Sequence, residues 1–185
     1  MSIEELRQVL PPPKKPRRTG SIKEWGAVEH RLGIIFPSDA KAFAVTYGDG
    51  VLGGSVSLLL PMGKPWDLWY SGIDQLLVAY RYLQEVEPWD WEGWPYPFEI
   101  RPSGLMPWAD GPDGAILCWV MEGEPDKWPI VSGIGGEGGR RYEETMTSLL
   151  AKWIEGRLVL EGFPPLDRDE LFIPHGYDDV SHDDD

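Results

Sequence analysis

Gly133-Ile134-Gly135-Gly136-Glu137-Gly138 fits G-x-G-x-x-G, the spacing that lets backbone N–H groups cradle a pyrophosphate when the loop leaves a strand and opens a helix. A candidate strand precedes it and a candidate helix follows. The wider setting is wrong for a dinucleotide site, because the motif sits late in the chain, after an expected antiparallel hairpin, with too few residues left for further βαβ units. Glu137, Glu143 and Glu144 put negative charge where phosphate would lie, only partly offset by Arg140 and Arg141. A flexible glycine-rich connection is therefore the expectation, and no cofactor is assigned.

Asp110 and Asp113 have the residue type for acid–base work or for a hard cation. They lie three positions apart in a proline-containing loop, where aspartate and glycine also serve simply to make a turn. His30, His175 and His182 and the single Cys118 offer no set of thiolates and imidazoles for zinc. Cys118 falls between Leu117 and Trp119 in an apolar run, which makes it a small buried hydrophobe. No serine stands in G-x-S-x-G and no cysteine is paired with a histidine, so the sequence gives no support to a nucleophilic hydrolase. The expectation is a protein without catalytic residues and without a metal site.

The charge points elsewhere. With 17 basic and 31 acidic residues the net charge is -14, which disfavours nucleic acid as a partner, because phosphate neutralisation needs a basic face. A basic protein is the better match. No apolar run reaches the roughly 20 residues that span a bilayer, and the N-terminus has arginine and proline in place of a secretory apolar stretch. Neither membrane anchoring nor export is expected, and the expected location is cytoplasmic.

The elements that must carry these residues follow from periodicity. Residues 1–20, with Leu10-Pro11-Pro12-Pro13-Lys14-Lys15 at their centre, are expected to be a flexible lead-in. Ser21 with Glu24 makes a capping box, and Ile22, Trp25, Val28 and Leu32 recur at helical spacing until Gly33. A second helix is expected from Ser38 or Asp39 to Tyr47, with Gly48 as its stop. Gly50 to Leu60 reads as a strand ended by Pro61, and Ser71 caps a helix with Ile73, Leu76, Leu77, Tyr80 and Leu83 on one face.

Further strands are expected at Phe98–Ile100, Ala115–Val120 and Trp128–Ser132, with Gly111-Pro112-Asp113-Gly114 as a tight turn and Glu122–Lys127 as a hairpin connection. A last helix runs through Met146, Leu149, Leu150, Trp153 and Ile154 to Gly156, and residues 167–185 form an acidic, partly disordered tail. Strands in the middle and helices at both ends predict a single α+β domain over 21–166, a mostly antiparallel central sheet flanked by helices. Among the ten tryptophans, Trp25, Trp119 and Trp153 fall on apolar faces. Trp89, Trp91 and Trp94, interleaved with Asp90 and Glu92, either fold back on the domain or present anchors to a partner.

Two blocks resemble the SUKH superfamily, which includes bacterial immunity proteins and a yeast regulator of cell-wall synthesis. The first contains Trp25, Glu29, Leu32, Gly33, Phe36, Pro37, Asp39, Phe43, Tyr47, Gly48 and Gly50. The second contains Gly104, Leu105, Pro107, Trp108, Asp110, Gly114, Leu117 and Trp119. The final helix, ending Leu149-Leu150-Ala151-Lys152-Trp153-Ile154-Glu155-Gly156, is similar to the family's as well. Ala109 stands where that family usually has glycine, and Ala115 where it commonly has aspartate.

What the resemblance implies is an α+β domain that neutralises a cognate protein toxin, often a nuclease, by binding and without chemistry. On that basis the segment from Gly104 to Trp119 is expected to be a structural hinge, with Trp108 and Trp119 packed. The expected contact residues are Trp89, Asp90, Trp91, Glu92 and Trp94, with Asp110 and Asp113 as further candidates, and the expected partner is a basic toxin domain. A regulatory interaction module with an endogenous partner is the alternative, separated from immunity by whether a toxin gene lies alongside. A nucleotide-binding enzyme using Gly133–Gly138 is the third class.

Overall fold

A computed structural model describes residues 3–62, 66–86, 96–134 and 137–175. Among these residues five α-helices and seven strands form an α+β domain: α1 (Ile3–Val9), α2 (Ile22–Leu32), α3 (Ser38–Tyr47), β1 (Gly50–Leu52), β2 (Val56–Leu58), α4 (Trp66–Val86), β3 (Leu105–Asp110), β4 (Ala115–Val120), β5 (Ile130–Ile134), β6 (Glu137–Tyr142), α5 (Met146–Ile154) and β7 (Phe172–Pro174). One antiparallel sheet has the order β6-β5-β4-β3-β2-β1-β7. Strands β1 to β6 are thus a meander, and β7 returns to the free edge of β1.

The helices form where local chemistry favours them. Ser21 Oγ accepts from the Glu24 N–H at the start of α2, and Gly33 ends that helix at φ 68°, its N–H donating to the Glu29 carbonyl. Trp25 is buried, while Ile22, one turn earlier, is 93% exposed, so the buried face of α2 is narrower than its spacing implied. Helix α4 begins five residues before Ser71 and buries Trp69, Ile73, Leu77 and Tyr80.

Two helix starts are capped from far away in sequence. Pro37 occupies the N-cap of α3 and has no side-chain bond; the Ser38 N–H donates instead to Asp126 Oδ1 at 2.6 Å. That backbone bond holds the Asp126 carboxyl below its usual range. Asp39 does not cap its own helix. Its Oδ2 accepts from the Thr147 N–H (2.9 Å) and hydroxyl (3.1 Å) in the first turn of α5, where Thr145 makes no side-chain cap.

Several expected boundaries change. The run Gly50–Leu60 is two short antiparallel strands, not one, because Gly53 and Gly54 turn the chain back at positive φ. Phe98–Ile100 is a bend in which the Arg101 N–H donates to the Glu99 carbonyl, with Phe98 buried and stacked on Tyr80 at 5.0 Å. Leu105–Asp110, expected to be a hinge, is strand β3, paired with β2 and β4. Pro107 disguises it, since a proline cannot donate to the ladder; the register shifts between Pro107 and Ala109, and the Trp108 carbonyl accepts from the Leu59 N–H at 2.8 Å.

The chain ends are also built in more firmly than residues 1–20 and 167–185 suggested. Leu6 and Leu10 are buried, α1 packs on α5 and α3, and the Leu10 carbonyl accepts from the Tyr47 hydroxyl at 2.5 Å. At the other end Phe172 packs against Phe43 and Tyr47, at centroid distances of 6.2 and 5.7 Å. Residues 176–185 lie outside the described residues.

Burial pushes the Tyr47 hydroxyl up from 10.0 to about 12, with smaller opposing effects of Arg7 and Glu4. The fold thus favours the neutral phenol, and the stability this contributes is complete below pH 10 and lost as pH rises towards 12. We expect the denaturant midpoint to fall over that interval, and the fall to be shallower in Tyr47→Phe; equal slopes would remove Tyr47 as its source.

The core is continuous through the tryptophans. Trp25 meets Phe36 (5.1 Å), Phe36 meets Trp119 (6.2 Å), and Trp119 stacks on Trp108 (5.6 Å). Glu29 holds the loop that presents Phe36: its Oε1 accepts from the Phe36 N–H at 2.9 Å and from Lys41 Nζ at 2.7 Å. Trp25, Trp119 and Trp153 are buried as their apolar settings predicted, and Trp108 is fully buried too.

Candidate protein-binding surface

The candidate surface is the outer side of α4 together with the turn between β3 and β4. Along α4 the inner residues Trp69, Ile73, Leu77 and Tyr80 face the sheet. On the outside Tyr70, Val78, Tyr82 and Val86 are 40, 50, 61 and 49% exposed, and Asp74 completes their spacing of four. Each step of four residues turns about 40° around a helix, so these side chains wind across the outer side of α4. Asp74 and Glu85 are exposed on this side, with the half-buried Arg81 one turn before Glu85. Val78, Tyr82 and Val86 lie within about 80° of one another around the helix, and large apolar groups exposed side by side are a feature that association would cover.

Tyr80 ties this helix to the neighbouring turn: its hydroxyl donates to the Gly114 carbonyl in a very short hydrogen bond. Burial raises the Tyr80 hydroxyl well above its usual range, with lesser contributions from Cys118 and Asp110, which keeps it a donor. The turn itself is a single 3-10 turn over Pro112–Gly114, closed by the Gly111 N–H on the Ala115 carbonyl at 2.8 Å. Asp113 sits there at φ 56°, a left-handed conformation that aspartate tolerates better than most residues. Its side chain is exposed, whereas Asp110, at the end of β3, is half-buried. The two carboxylates therefore do not present themselves alike: Asp113 faces solvent beside α4, and Asp110 lies closer to the core.

Trp89, Asp90, Trp91, Glu92 and Trp94 lie outside the described residues. In sequence they follow α4 within a few positions. The inner residues alone satisfy the helical period, so periodicity does not single out the exposed side of α4. Its signal was present: Tyr70, Val78, Tyr82 and Val86 make α4 apolar on more than the single face a sheet can bury.

The remaining chemical candidates fall into place. Gly133 belongs to β5, and Ile134 pairs with Glu137 of β6, so the glycine motif joins two antiparallel strands; Gly135 and Gly136 lie outside the described residues. The helix a dinucleotide loop must open is not there, since α5 starts only at Met146. Among the described residues no cluster of three or more His, Cys, Asp or Glu could hold a metal ion. Cys118 is fully buried, and burial pushes its thiol far above the usual range. No helix among the described residues is long and apolar enough to cross a membrane.

No protein-family model matches this chain, and no curated protein or solved structure matches it either.

A second apolar feature competes with α4. A groove of about 590 Å³ runs between α1, α2 and α3, with Ile22, Trp25 and Val45 on its walls. Its charged lining is Arg7, Lys41 and Glu29, and both cations are in ion pairs, with Glu4 and Glu29 respectively. It has no surplus of negative charge for a basic partner. The outer side of α4, with Asp74 and Glu85 against Arg81, keeps an excess of one carboxylate.

Proposed function

We propose that this chain is a non-catalytic, SUKH-like immunity protein of the bacterial cytoplasm that binds and occludes a basic toxin domain such as a nuclease. The observation that carries the proposal is the exposed apolar set Tyr70, Val78, Tyr82 and Val86, set among carboxylates on a chain of net charge -14. Nucleases need a basic surface to hold phosphate. An acidic surface with aromatic and aliphatic anchors is complementary to it: the charge accelerates encounter, and the anchors hold the complex. Trp89, Asp90, Trp91, Glu92 and Trp94, which follow Val86 within a few positions in sequence, are proposed as further contact residues, with Asp110 and Asp113.

The test is co-expression with basic toxin domains encoded beside this gene, scored by growth rescue and co-purification. Tyr82→Ala with Val78→Ala is expected to weaken the complex by about tenfold or more, mainly through faster dissociation. Replacing Asp74, Glu85 and Asp113 by their amides is expected to slow association severalfold and to flatten its dependence on salt. Rescue by none of the neighbouring toxins, or a complex indifferent to both sets of changes, would overturn the proposal.

A further inference from the structure

A segment near the N-terminus, through Arg18, and one near the C-terminus, through His175, meet on a single buried carboxylate. Asp49 is 1% exposed, in the sequence Gly48-Asp49-Gly50 between α3 and β1. From the N-terminal side, Arg18 Nη1 lies 3.1 Å from Asp49 Oδ2, the Asp49 N–H donates to the Arg17 carbonyl at 3.0 Å, and Arg17 bridges Gly48 in parallel. From the C-terminal side, His175 Nδ1 lies 3.3 Å from the same Oδ2, and the His175 N–H donates to the Asp49 carbonyl at 3.1 Å.

The flanking glycines make this convergence possible. Gly48 has φ 76°, and a Cβ there would fall 1.8 Å from the Arg17 carbonyl oxygen. A Cβ on Gly50 would fall 2.6 Å from both the Ile173 carbonyl oxygen and the Phe172 ring. Each glycine therefore admits one chain end to van der Waals contact, and the aspartate between them fastens both.

We propose that Gly48-Asp49-Gly50 is a two-sided clasp, through which release of the N-terminal segment and lifting of the edge strand β7 are coupled. A buried carboxylate is stable only while its partners stay in place. Loss of Arg18 leaves Asp49 more costly to keep out of water, so the backbone around it loosens and with it the hold on His175; the converse applies when His175 is lost. Strand β7 is suited to be the moving part. It has three residues, pairs with β1 alone, and covers Phe43 and Tyr47 with Phe172. Lifting it uncovers the β1 edge and that aromatic site together.

Amide hydrogen exchange on the full chain tests the coupling, because each end has its own reporter: the Asp49 N–H for the N-terminal segment and the His175 N–H for β7. Arg18→Gln is expected to accelerate exchange at the His175 amide by about tenfold, and His175→Gln to do the same at the Asp49 amide. Both variants keep Asp49 and change side chains that are 21 and 29% exposed, so the fold persists. In the double variant the accelerations are expected to be smaller than the product of the single ones. Arg157→Gln, which breaks the Glu155 pair elsewhere on the surface, is the control and should move neither reporter. If each substitution accelerates only the amide at its own end, or if the control moves both, the clasp is overturned.

Discussion

Trp119→Ala is expected to destabilise the domain by about 3–5 kcal/mol, and to lower its melting temperature by roughly 10 °C. Trp119 is 1% exposed on β4, a strand whose six residues are all buried. It stands where the aromatic chain from α2 reaches the sheet, against Phe36 at 6.2 Å and Trp108 at 5.6 Å. Truncation removes a whole indole from this junction and leaves a cavity that two strands in register, Met106 and Ile130 opposite Trp119, cannot collapse to fill. Since whole domains are stable by only about 5–15 kcal/mol, this one change should consume a large share of the total. Guanidinium denaturation followed by far-ultraviolet circular dichroism measures it. Trp119→Phe, which keeps a ring, should lose less than half as much; an alanine variant within about 1 kcal/mol of the parent would show that the tryptophan chain does not organise the core.

Asp39→Ala is the second large effect, expected at about 2–3 kcal/mol. The carboxylate serves two donors of one residue, the N–H and hydroxyl of Thr147, which is itself completely buried. Helix α5 is buried along nearly its whole length, from Met146 to Ile154, so water cannot replace the lost acceptor. Asp39→Asn retains an oxygen acceptor without the charge and should cost roughly half as much. The distinguishing measurement is amide exchange at the start of α5, 108 residues away in sequence, where alanine should accelerate the Thr147 amide far more than amides of α3. An effect confined to α3 would mean that Asp39 acts only on its own helix.

Asp39 also illustrates how far the sequence could be read. Beside Ser38 at the head of an apolar period it looks like a local cap, and α3 does begin there. The bonds go elsewhere: α3 is capped by Asp126 and α5 by Asp39. Asp39 stands at a helix start and Asp126 in the connection between β4 and β5, but a sequence contains nothing that says which helix start each carboxylate meets. The candidate surface was legible to a similar depth. Gly111-Pro112-Asp113-Gly114 announced its turn, and Ile73, Leu77 and Tyr80 announced the buried face of α4. The outer side was hidden, because an apolar residue in a helical run is ambiguous until the sheet has chosen which face to cover. Trp89, Asp90, Trp91, Glu92 and Trp94 stay as the sequence left them, outside the described residues.

The amino-acid sequence by itself determined what depends on neighbours a few positions apart: the Ser21 cap and Gly33 stop of α2, the apolar periods of α3, α4 and α5, the turn at 111–114, the burial of Trp25, Trp119 and Trp153, and hence an α+β domain with helices at both ends. Only the tertiary structure decided β3, whose Pro107 breaks the local strand signal while its partners β2 and β4 restore it. It alone brought Arg18 and His175 together on Asp49 and placed α1 and β7 in the fold. The reason is range. Helical periodicity, capping boxes and turns are satisfied within one or two turns of chain, whereas a strand with an interrupted ladder, a carboxylate capping a distant helix and a buried ion shared by both termini are stable only once residues far apart in sequence have been packed side by side.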